Sequence, residues 1–158
     1  MEIDDFQFMQ AALKEAKNGF EKGEVPIGAV LVYQNQIIAS FHNQVEILVD
    51  ATAHAEILCI KKGAEVLGNW RLIGCTLYTT LEPCPMCAGA LISSRVERVV
   101  WGAPDVRQGA GGSFIELLGQ AHPIHTVQVT SGVLLDEAAG LMKTFFQERR
   151  GCKKSLMN

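Results

Sequence analysis

Two short segments of the chain contain residue types that bind transition metals and move protons. The first contains His54 and Glu56 in the spacing H-x-E, and the second contains Cys84 and Cys87 in the spacing P-C-x-x-C. One imidazole and two thiolates can occupy three corners of a zinc tetrahedron and leave the fourth open for water. The carboxylate of Glu56 can then accept a proton from that water. Together these residues predict hydrolytic chemistry at a single Zn²⁺ ion.

The charge of this ligand set makes a neighbouring base necessary. With two thiolates and a neutral imidazole the zinc centre is formally neutral, so it polarises water less than a centre of three histidines does. Glu56 is the candidate general base. We expect the same carboxylate to return protons to the ring nitrogen and to the leaving amine of a substrate with an amidine-like carbon.

Each half of the pattern also has ordinary explanations. A lone C-x-x-C pair occurs as half of a structural zinc site or as a redox pair, and a lone histidine beside an apolar run is usually a core residue. No second C-x-x-C pair is present, which excludes a closed four-cysteine site. Redox motifs of the thioredoxin type lack an upstream H-x-E. The combination of the two motifs therefore favours the metal site.

The first motif has to lie at the start of a helix. His54 and Glu56 are two positions apart and would point away from each other on a regular helix, so they can share one ion only where the helix begins. Thr52 is the expected N-cap of this helix, which is predicted to run to about Ala64.

The second motif suits a helix start as well. Cys84 or Pro85 begins a predicted helix that ends near Ser94, and a spacing of three places both sulfurs on one side of it. The free N–H groups and the dipole of a helix start stabilise thiolates. Segment 57–82 is long enough to bring the two helix starts side by side.

Hydrophobic periodicity predicts an α/β protein. The predicted order is helix 4–22, strands 26–33 and 37–41 as a hairpin, loop 43–52, helix 52–64, strand 75–80, helix 84–94, strand 98–101, glycine-rich loop 102–113, short helix 114–119, strand 126–130 and helix 134–150. This alternation indicates a three-layer α/β/α sandwich with a central mixed five-stranded sheet. Residues 1–158 are expected to form one domain.

Composition indicates an ordinary globular protein. Of the 158 residues 48% are apolar and 20% are charged, and the net charge is −3. No apolar run is long enough to span a bilayer, and the acidic residues 1–5 lack the layout of a signal peptide. Five cysteines, an odd number, do not resemble a secreted disulfide framework. We expect a cytoplasmic protein with no membrane partner.

The net charge does not by itself indicate a nucleic-acid partner, although a basic patch can exist on one face. The C-terminal segment contains Arg149, Arg150, Lys153 and Lys154. The alternative is a solvated helix end, where cations interact favourably with the helix dipole. Cys152 in the same segment is expected to be a free surface thiol.

The sequence as a whole resembles the bacterial tRNA adenosine deaminases, which convert adenosine to inosine at the wobble position of a tRNA anticodon. The H-x-E and P-C-x-x-C motifs are the signature of zinc nucleobase deaminases. The resemblance covers nearly the full length, and beyond the two motifs it rests on residues 24–30, 43, 88–90, 94–95, 98–103, 105, 109–113 and 145–150.

The resemblance implies a cytidine deaminase-like fold, one Zn²⁺ per subunit and a homodimer that binds the tRNA anticodon stem-loop across both subunits. By similarity, Asn43 would hydrogen-bond the flipped base and Asp105 would contact a ribose near it. Phe145, Arg149 and Arg150 would hold neighbouring nucleotides by stacking and phosphate contact. The family implies an arginine tRNA with adenosine as its first anticodon base.

Three of these residues have structural alternatives that the sequence leaves open. Asn43 could close the end of the hairpin, Asp105 could cap a loop, and Phe145 could be a core residue of the amphipathic helix. Two functional alternatives also remain. One is a free-base deaminase for guanine or cytosine on the same fold. The other is a non-catalytic RNA-binding subunit with a structural zinc, which the presence of Glu56 argues against.

Overall fold

The fold is seen in a computed structural model that describes residues 3–157 and the side chains of residues 4–152. Residues 1, 2 and 158 and the side chains of Lys153 and Lys154 lie outside the described residues. The elements in chain order are α1 Ile3–Glu21, β1 Gly28–Tyr33, β2 Gln36–His42, α2 Val45–Leu48, α3 Ala55–Leu67, β3 Cys75–Leu81, α4 Pro85–Ser93, β4 Arg98–Ala103, β5 Gln128–Thr130 and α5 Leu135–Met157.

The strands form one mixed sheet in the order β2-β1-β3-β4-β5. Strand β1 is antiparallel to both β2 and β3, whereas β3, β4 and β5 run parallel to one another. Parallel neighbours need a crossover connection, and α4 supplies it between β3 and β4. The predicted mixed five-stranded sheet is confirmed.

Helices cover both faces of this sheet. Successive side chains of a strand point to opposite faces, and β1 shows this clearly. Its Val30 packs with Met9 of α1 in one apolar cluster, and its Leu31 packs with Leu91 of α4 in another. Helix α5 contacts β4 and α1, and α3 contacts β1 and β2. The predicted three-layer α/β/α arrangement is therefore confirmed. Within the described range, none of the helices combines the length and apolar character that crossing a bilayer requires.

The predicted N-cap of α3 is wrong. The helix begins at Ala55, and His54 occupies the N-cap position. The N–H and hydroxyl of Thr52 donate instead to the carboxylate of Asp50, at 2.8 and 2.7 Å. An aspartate two residues upstream offers a local turn that competes with capping. As a result His54 itself lies at the helix start.

The predicted short helix over 114–119 does not form. The backbone turns there instead, and Gly111 and Glu116 form an isolated bridge. The carboxylate of Glu116 accepts the N–H of Gly119 at 2.6 Å. The flanking glycines favour such turns over a helix, since glycine loses more backbone entropy than other residues in a helix.

A buried ion pair joins α1 to the sheet. Asp5 accepts two hydrogen bonds from the guanidinium of Arg98, at 2.8 and 2.6 Å, and one from the hydroxyl of Tyr78 at 2.8 Å. The hydrogen bond from Arg98, aided by that from Tyr78, outweighs burial and lowers the pKa of Asp5 below the ordinary value of 3.8. The contribution of the ionised Asp5 carboxylate to folding stability is therefore fully present above pH 3.8, and it is lost as the pH falls through the folded-state pKa of Asp5.

We expect Asp5→Asn to lower the free energy of unfolding at pH 7 by about 2–3 kcal/mol, because the amide removes the charge that Arg98 faces. The advantage of the wild-type protein should begin to fall as the pH drops below 3.8 and should keep falling until the pH is below the folded-state pKa of Asp5. Urea unfolding at pH 7 and at pH 3 measures both differences. An equal difference at the two pH values would contradict the assignment of the stabilisation to the ionised carboxylate.

Candidate metal centre and substrate cleft

The residues with predicted functions gather at one edge of the sheet. Gly28 pairs with His42 and Leu81 pairs with Ala103, so the edge combines the amino end of β1 with the carboxyl ends of β2, β3 and β4. The carboxyl ends of parallel strands are a usual place for ligands in α/β sheets. The segments that enter and leave these strand ends contain Glu24, Asn43, Glu82, Cys84 and Asp105.

His54, Cys84 and Cys87 converge at this edge. The Nδ1 atom of His54 lies 3.6 Å from Sγ of Cys84 and 3.5 Å from Sγ of Cys87. All three donor atoms lie within 4.8 Å of one another. His54 and Cys84 are the N-cap residues of α3 and α4. The prediction that two helix starts lie side by side is confirmed.

These separations suit a tetrahedral zinc ion. Zn–S bonds of about 2.3 Å and Zn–N bonds of about 2.0–2.1 Å place the nitrogen and sulfur donors about 3.6 Å apart at the tetrahedral angle, close to the observed 3.5 and 3.6 Å. Among the described side chains, those of residues 4–152, the cluster contains these three donors and no fourth His, Cys, Asp or Glu. The donor set therefore fits zinc with one position open to a small ligand.

Glu56 adds an unsatisfied buried acceptor beside the cluster. Its side chain is 4% exposed, and its Oε1 atom has no hydrogen-bond partner among the described residues. An isolated buried carboxylate oxygen is unfavourable unless a water, an ion or a substrate group pairs with it. Burial raises the pKa of Glu56, although the nearby Cys87 and His54 oppose the rise.

The protonation states of the three ligands depend on one another. The hydrogen bond from Cys87, followed by that from His54, lowers the pKa of Cys84 to about 4 even though burial opposes the change. The same contact, together with burial, raises the pKa of Cys87. The hydrogen bond to Cys84 raises the pKa of His54. Since zinc binds thiolates and neutral imidazole, its binding would displace these shared protons.

His54 borders a cleft of about 320 Å³ that Asn43 and Asp105 also line. The structure thus brings two predicted substrate residues to the opening beside the metal ligands. Asn43 is buried, and its amide nitrogen donates to the carboxylate of Glu24 at 3.4 Å. Because a carboxylate can only accept, this contact fixes which end of the amide faces Glu24 and leaves the oxygen for another donor.

Glu24 is a site residue to which sequence reasoning assigned no role. It is fully buried, and its carboxylate accepts the N–H groups of Glu46 at 3.3 Å and Ile47 at 2.7 Å, besides that of Asn43. A negative group at a helix start is stabilising, which explains why α2 forms within the predicted loop 43–52. The sequence did contain a signal for this role, because Glu24 lies just before a predicted buried strand and a buried charge needs partners.

Asp105 has two features that bear on its predicted role. It lines the cleft, and its Oδ1 atom also accepts the N–H groups of Arg107 at 3.1 Å and Gln108 at 3.3 Å. The second feature is the loop-capping role that the sequence left open. The contact between Asp105 and a ribose stays a prediction.

Glu82 is a second residue whose role the sequence did not reveal. It is 3% exposed, and its carboxylate accepts hydrogen bonds from Asp105, Gly111 and Ser113. Burial would raise its pKa, but the Ser113 hydroxyl and the three backbone N–H groups lower it on balance. These partners follow Glu82 by 23 to 31 positions, and no spacing rule connects residues so far apart.

Phe145 is buried in the structure. Its side chain is 5% exposed, and its ring packs edge-on against Phe20 with the ring centroids 5.6 Å apart. The structure therefore favours the core alternative over the predicted stacking on a base. Phe146, the next residue, is 39% exposed and lines the cleft.

The two predicted arginines lie next to this cleft. Arg149 donates a hydrogen bond to the carbonyl of Gly23, and its guanidinium lies 4.9 Å from the ring of Phe145. Arg149 and Arg150 are exposed and line a second cavity of about 300 Å³. The two cavities share Phe146 as a wall, so they adjoin. The phosphate contacts of the arginines stay predictions.

Comparison with known proteins places this site in a family. The model of the cytidine and deoxycytidylate deaminase zinc-binding region matches residues 2–103, which include the three candidate ligands and Glu56. The tRNA-specific adenosine deaminase of Bacillus subtilis is 52% identical, over 96% of this chain and 94% of its own length. The chain belongs to the tRNA-specific adenosine deaminases. It is therefore a zinc-dependent deaminase.

Solved structures agree with this assignment. One from a study of A-to-I editing by tRNA:A34 deaminases at the wobble position has a TM-score of 0.82 and 44% identity, covering 85% of this chain and 98% of its own. A guanine deaminase from Nitrosomonas europaea has a TM-score of 0.76 and 25% identity, covering 89% and 83%. Both share the cytidine deaminase-like fold, and the higher identity to the tRNA deaminase disfavours the free-base alternative.

Proposed function

We propose that the protein deaminates adenosine to inosine at the wobble position, the first anticodon base, of a tRNA, and that this tRNA is an arginine tRNA. What carries the proposal is the convergence of one imidazole, two sulfurs and a buried carboxylate, together with the position of that imidazole on a cleft that Asn43 and Asp105 also line. Family membership supports the class of substrate.

The net reaction exchanges an amine for an oxygen, so that adenosine and water give inosine and ammonia. A zinc ion held by His54, Cys84 and Cys87 would polarise the attacking water. Glu56 would take a proton from the water, protonate the adenine ring nitrogen and then transfer a proton to the departing amine. The buried Oε1 atom of Glu56, which has no partner among the described residues, is free to receive that proton.

The walls of the cleft would bind and orient the RNA. With its nitrogen on Glu24, Asn43 would present its amide oxygen to a donor on the flipped base. Asp105 would accept from a ribose hydroxyl, and Arg149 and Arg150 would contact phosphates of neighbouring nucleotides. We further propose a homodimer in which the stem-loop contacts both subunits, and a location in the cytoplasm, where such a tRNA would be found.

We expect Asn43→Ala to lower kcat/KM on the anticodon stem-loop by about ten- to a hundredfold. This factor corresponds to the about 1.4–2.8 kcal/mol that is lost when a buried hydrogen bond to the substrate is removed. Initial rates of inosine formation measure it. Asn69→Ala is the matched control, because Asn69 is exposed and its side chain accepts a local bond from the N–H of Arg71. Equal rates for the two variants would contradict the role of Asn43.

A comparison of substrates tests the proposed function. The zinc-loaded protein is incubated with the anticodon stem-loop of an arginine tRNA and, separately, with free adenosine, guanine and cytosine. We expect repeated turnover to inosine in the stem-loop and no ammonia from guanine or cytosine. Turnover of a free base with none of the RNA would overturn the proposal. Equal turnover of another stem-loop that begins its anticodon with adenosine would overturn the arginine specificity alone.

A further inference from the structure

We propose that Glu82 is a positioning residue that holds residues 105–113, here called the cleft loop, against the metal centre and so determines how tightly the enzyme binds RNA. The inference rests on the proposed function, because it concerns the same cleft.

One carboxylate binds both ends of the cleft loop. Its Oε1 atom accepts the N–H of Asp105 at 3.1 Å and the hydroxyl of Ser113, and its Oε2 atom accepts the N–H groups of Gly111 at 2.8 Å and Ser113 at 3.2 Å. The two oxygens of the buried carboxylate accept four donors. A glutamine side chain of the same shape offers one accepting oxygen and could not pair with all four. The carboxylate of Glu82 therefore joins the two ends of the cleft loop through these four contacts.

The cleft loop is also shaped to approach this carboxylate closely. A Cβ atom on Gly109 would lie 2.3 Å from Cδ of Glu82, and one on Gly111 would lie 2.2 Å from the ring of Trp101. Only glycine permits such approaches. The N–H of Ala110 donates to the carbonyl of Pro83 at 2.7 Å. The loop thus packs directly on the segment that leads to the metal ligands.

The position of Glu82 connects the metal centre with the substrate wall. It precedes Pro83 and the candidate ligand Cys84, while the loop it holds contributes Asp105, Arg107 and Gln108 to the cleft. Releasing the loop would move the wall of the cleft and leave the three metal donors in place. The expected effect is therefore on substrate binding rather than on zinc content.

The test is Glu82→Gln, compared with Glu116→Gln as a matched control. Glu116 is an exposed carboxylate nearby that accepts a local bond from Gly119. For Glu82→Gln we expect one zinc per chain, a KM for the anticodon stem-loop raised about tenfold or more, and a kcat at saturation within about threefold of wild type. For Glu116→Gln we expect both constants to be unchanged.

Two further measurements separate positioning from general stability. Hydrogen exchange at the amides of Gly111 and Ser113 should become faster in Glu82→Gln and not in Glu116→Gln. The KM effect should also be non-additive with that of Asp105→Ala, because both act through the same loop. If Glu82→Gln does not fold, Ser113→Ala, which removes one donor and keeps the carboxylate, should raise KM in the same direction by a smaller factor.

An unchanged KM in a folded, zinc-loaded Glu82→Gln protein, or an unchanged KM for Ser113→Ala where Glu82→Gln does not fold, would overturn the inference. Additive effects with Asp105→Ala would overturn it as well. Failure of the wild-type protein to form inosine in any stem-loop would overturn the proposed function instead. The exchange measurement would then still decide whether Glu82 holds the loop.

Discussion

Glu56→Ala is expected to lower kcat for the anticodon stem-loop by about 10²- to 10⁴-fold while the protein keeps its fold and its zinc. The side chain is buried, one of its oxygens has no partner among the described residues, and burial raises its pKa. Such a group stabilises little in the folded state, so its loss should not lower the melting temperature. Single-turnover inosine formation, zinc content and thermal unfolding measure the three quantities.

The control for this variant lies on the same helix. Glu65→Ala removes an exposed carboxylate of α3 that pairs with Lys62 at 3.5 Å. An exposed ion pair of this kind contributes about 0–1 kcal/mol to the stability of the folded protein. We therefore expect Glu65→Ala to leave the fold, kcat and the zinc content unaltered. Near-normal turnover by Glu56→Ala would show that another group moves the protons. Loss of zinc from the same variant would show that Glu56 is a ligand.

Cys84→Ala is expected to remove both zinc binding and activity. The hydrogen bond from Cys87 lowers the pKa of Cys84 to about 4, which favours the thiolate that zinc binds. Loss of a residue that merely supports a metal ligand weakens metal binding by about 10- to 100-fold. Loss of the ligand itself should weaken zinc binding by more than this. Added zinc stabilises only a protein that binds it when folded. Zinc should therefore raise the melting temperature of the wild type and not that of the variant.

Cys75→Ala provides the matched cysteine control. Cys75 is fully buried in the main apolar cluster, away from the metal donors, and burial raises its pKa to about 11. This variant should lose some stability through a small cavity and keep one zinc per chain. A Cys84→Ala protein that retains zinc and turnover as Cys75→Ala does would contradict the assigned ligand set.

The metal donors and the sheet could be predicted because their signals are local. The spacing of His54 and Glu56 required a helix start, that of Cys84 and Cys87 suited one, and both starts are found there. Alternation and short apolar runs identified the strands, and the αβ alternation indicated the layers. The observed start of α3 differs from the predicted start by a few residues, because the side chain of Thr52 forms a local hydrogen bond with Asp50 instead of capping the helix.

The carboxylates that shape the cleft could not be predicted in this way. Glu24 forms bonds with residues 19 to 23 positions away, and Glu82 with residues 23 to 31 positions away. Their partners are mostly backbone N–H groups, which every sequence contains. The environment of Phe145 was ambiguous for a different reason, since an aromatic residue on an amphipathic helix can face either the core or a ligand.

The most direct test of the central claim is sequencing by mass spectrometry of the oligonucleotide fragments of an arginine anticodon stem-loop after reaction in ¹⁸O-labelled water. Hydrolysis by the site built from His54, Cys84, Cys87 and Glu56 should give inosine at the first anticodon base alone, with one ¹⁸O atom per inosine and one ammonia released. Inosine elsewhere in the loop, inosine without the label, or no inosine from the zinc-loaded protein would contradict the claim.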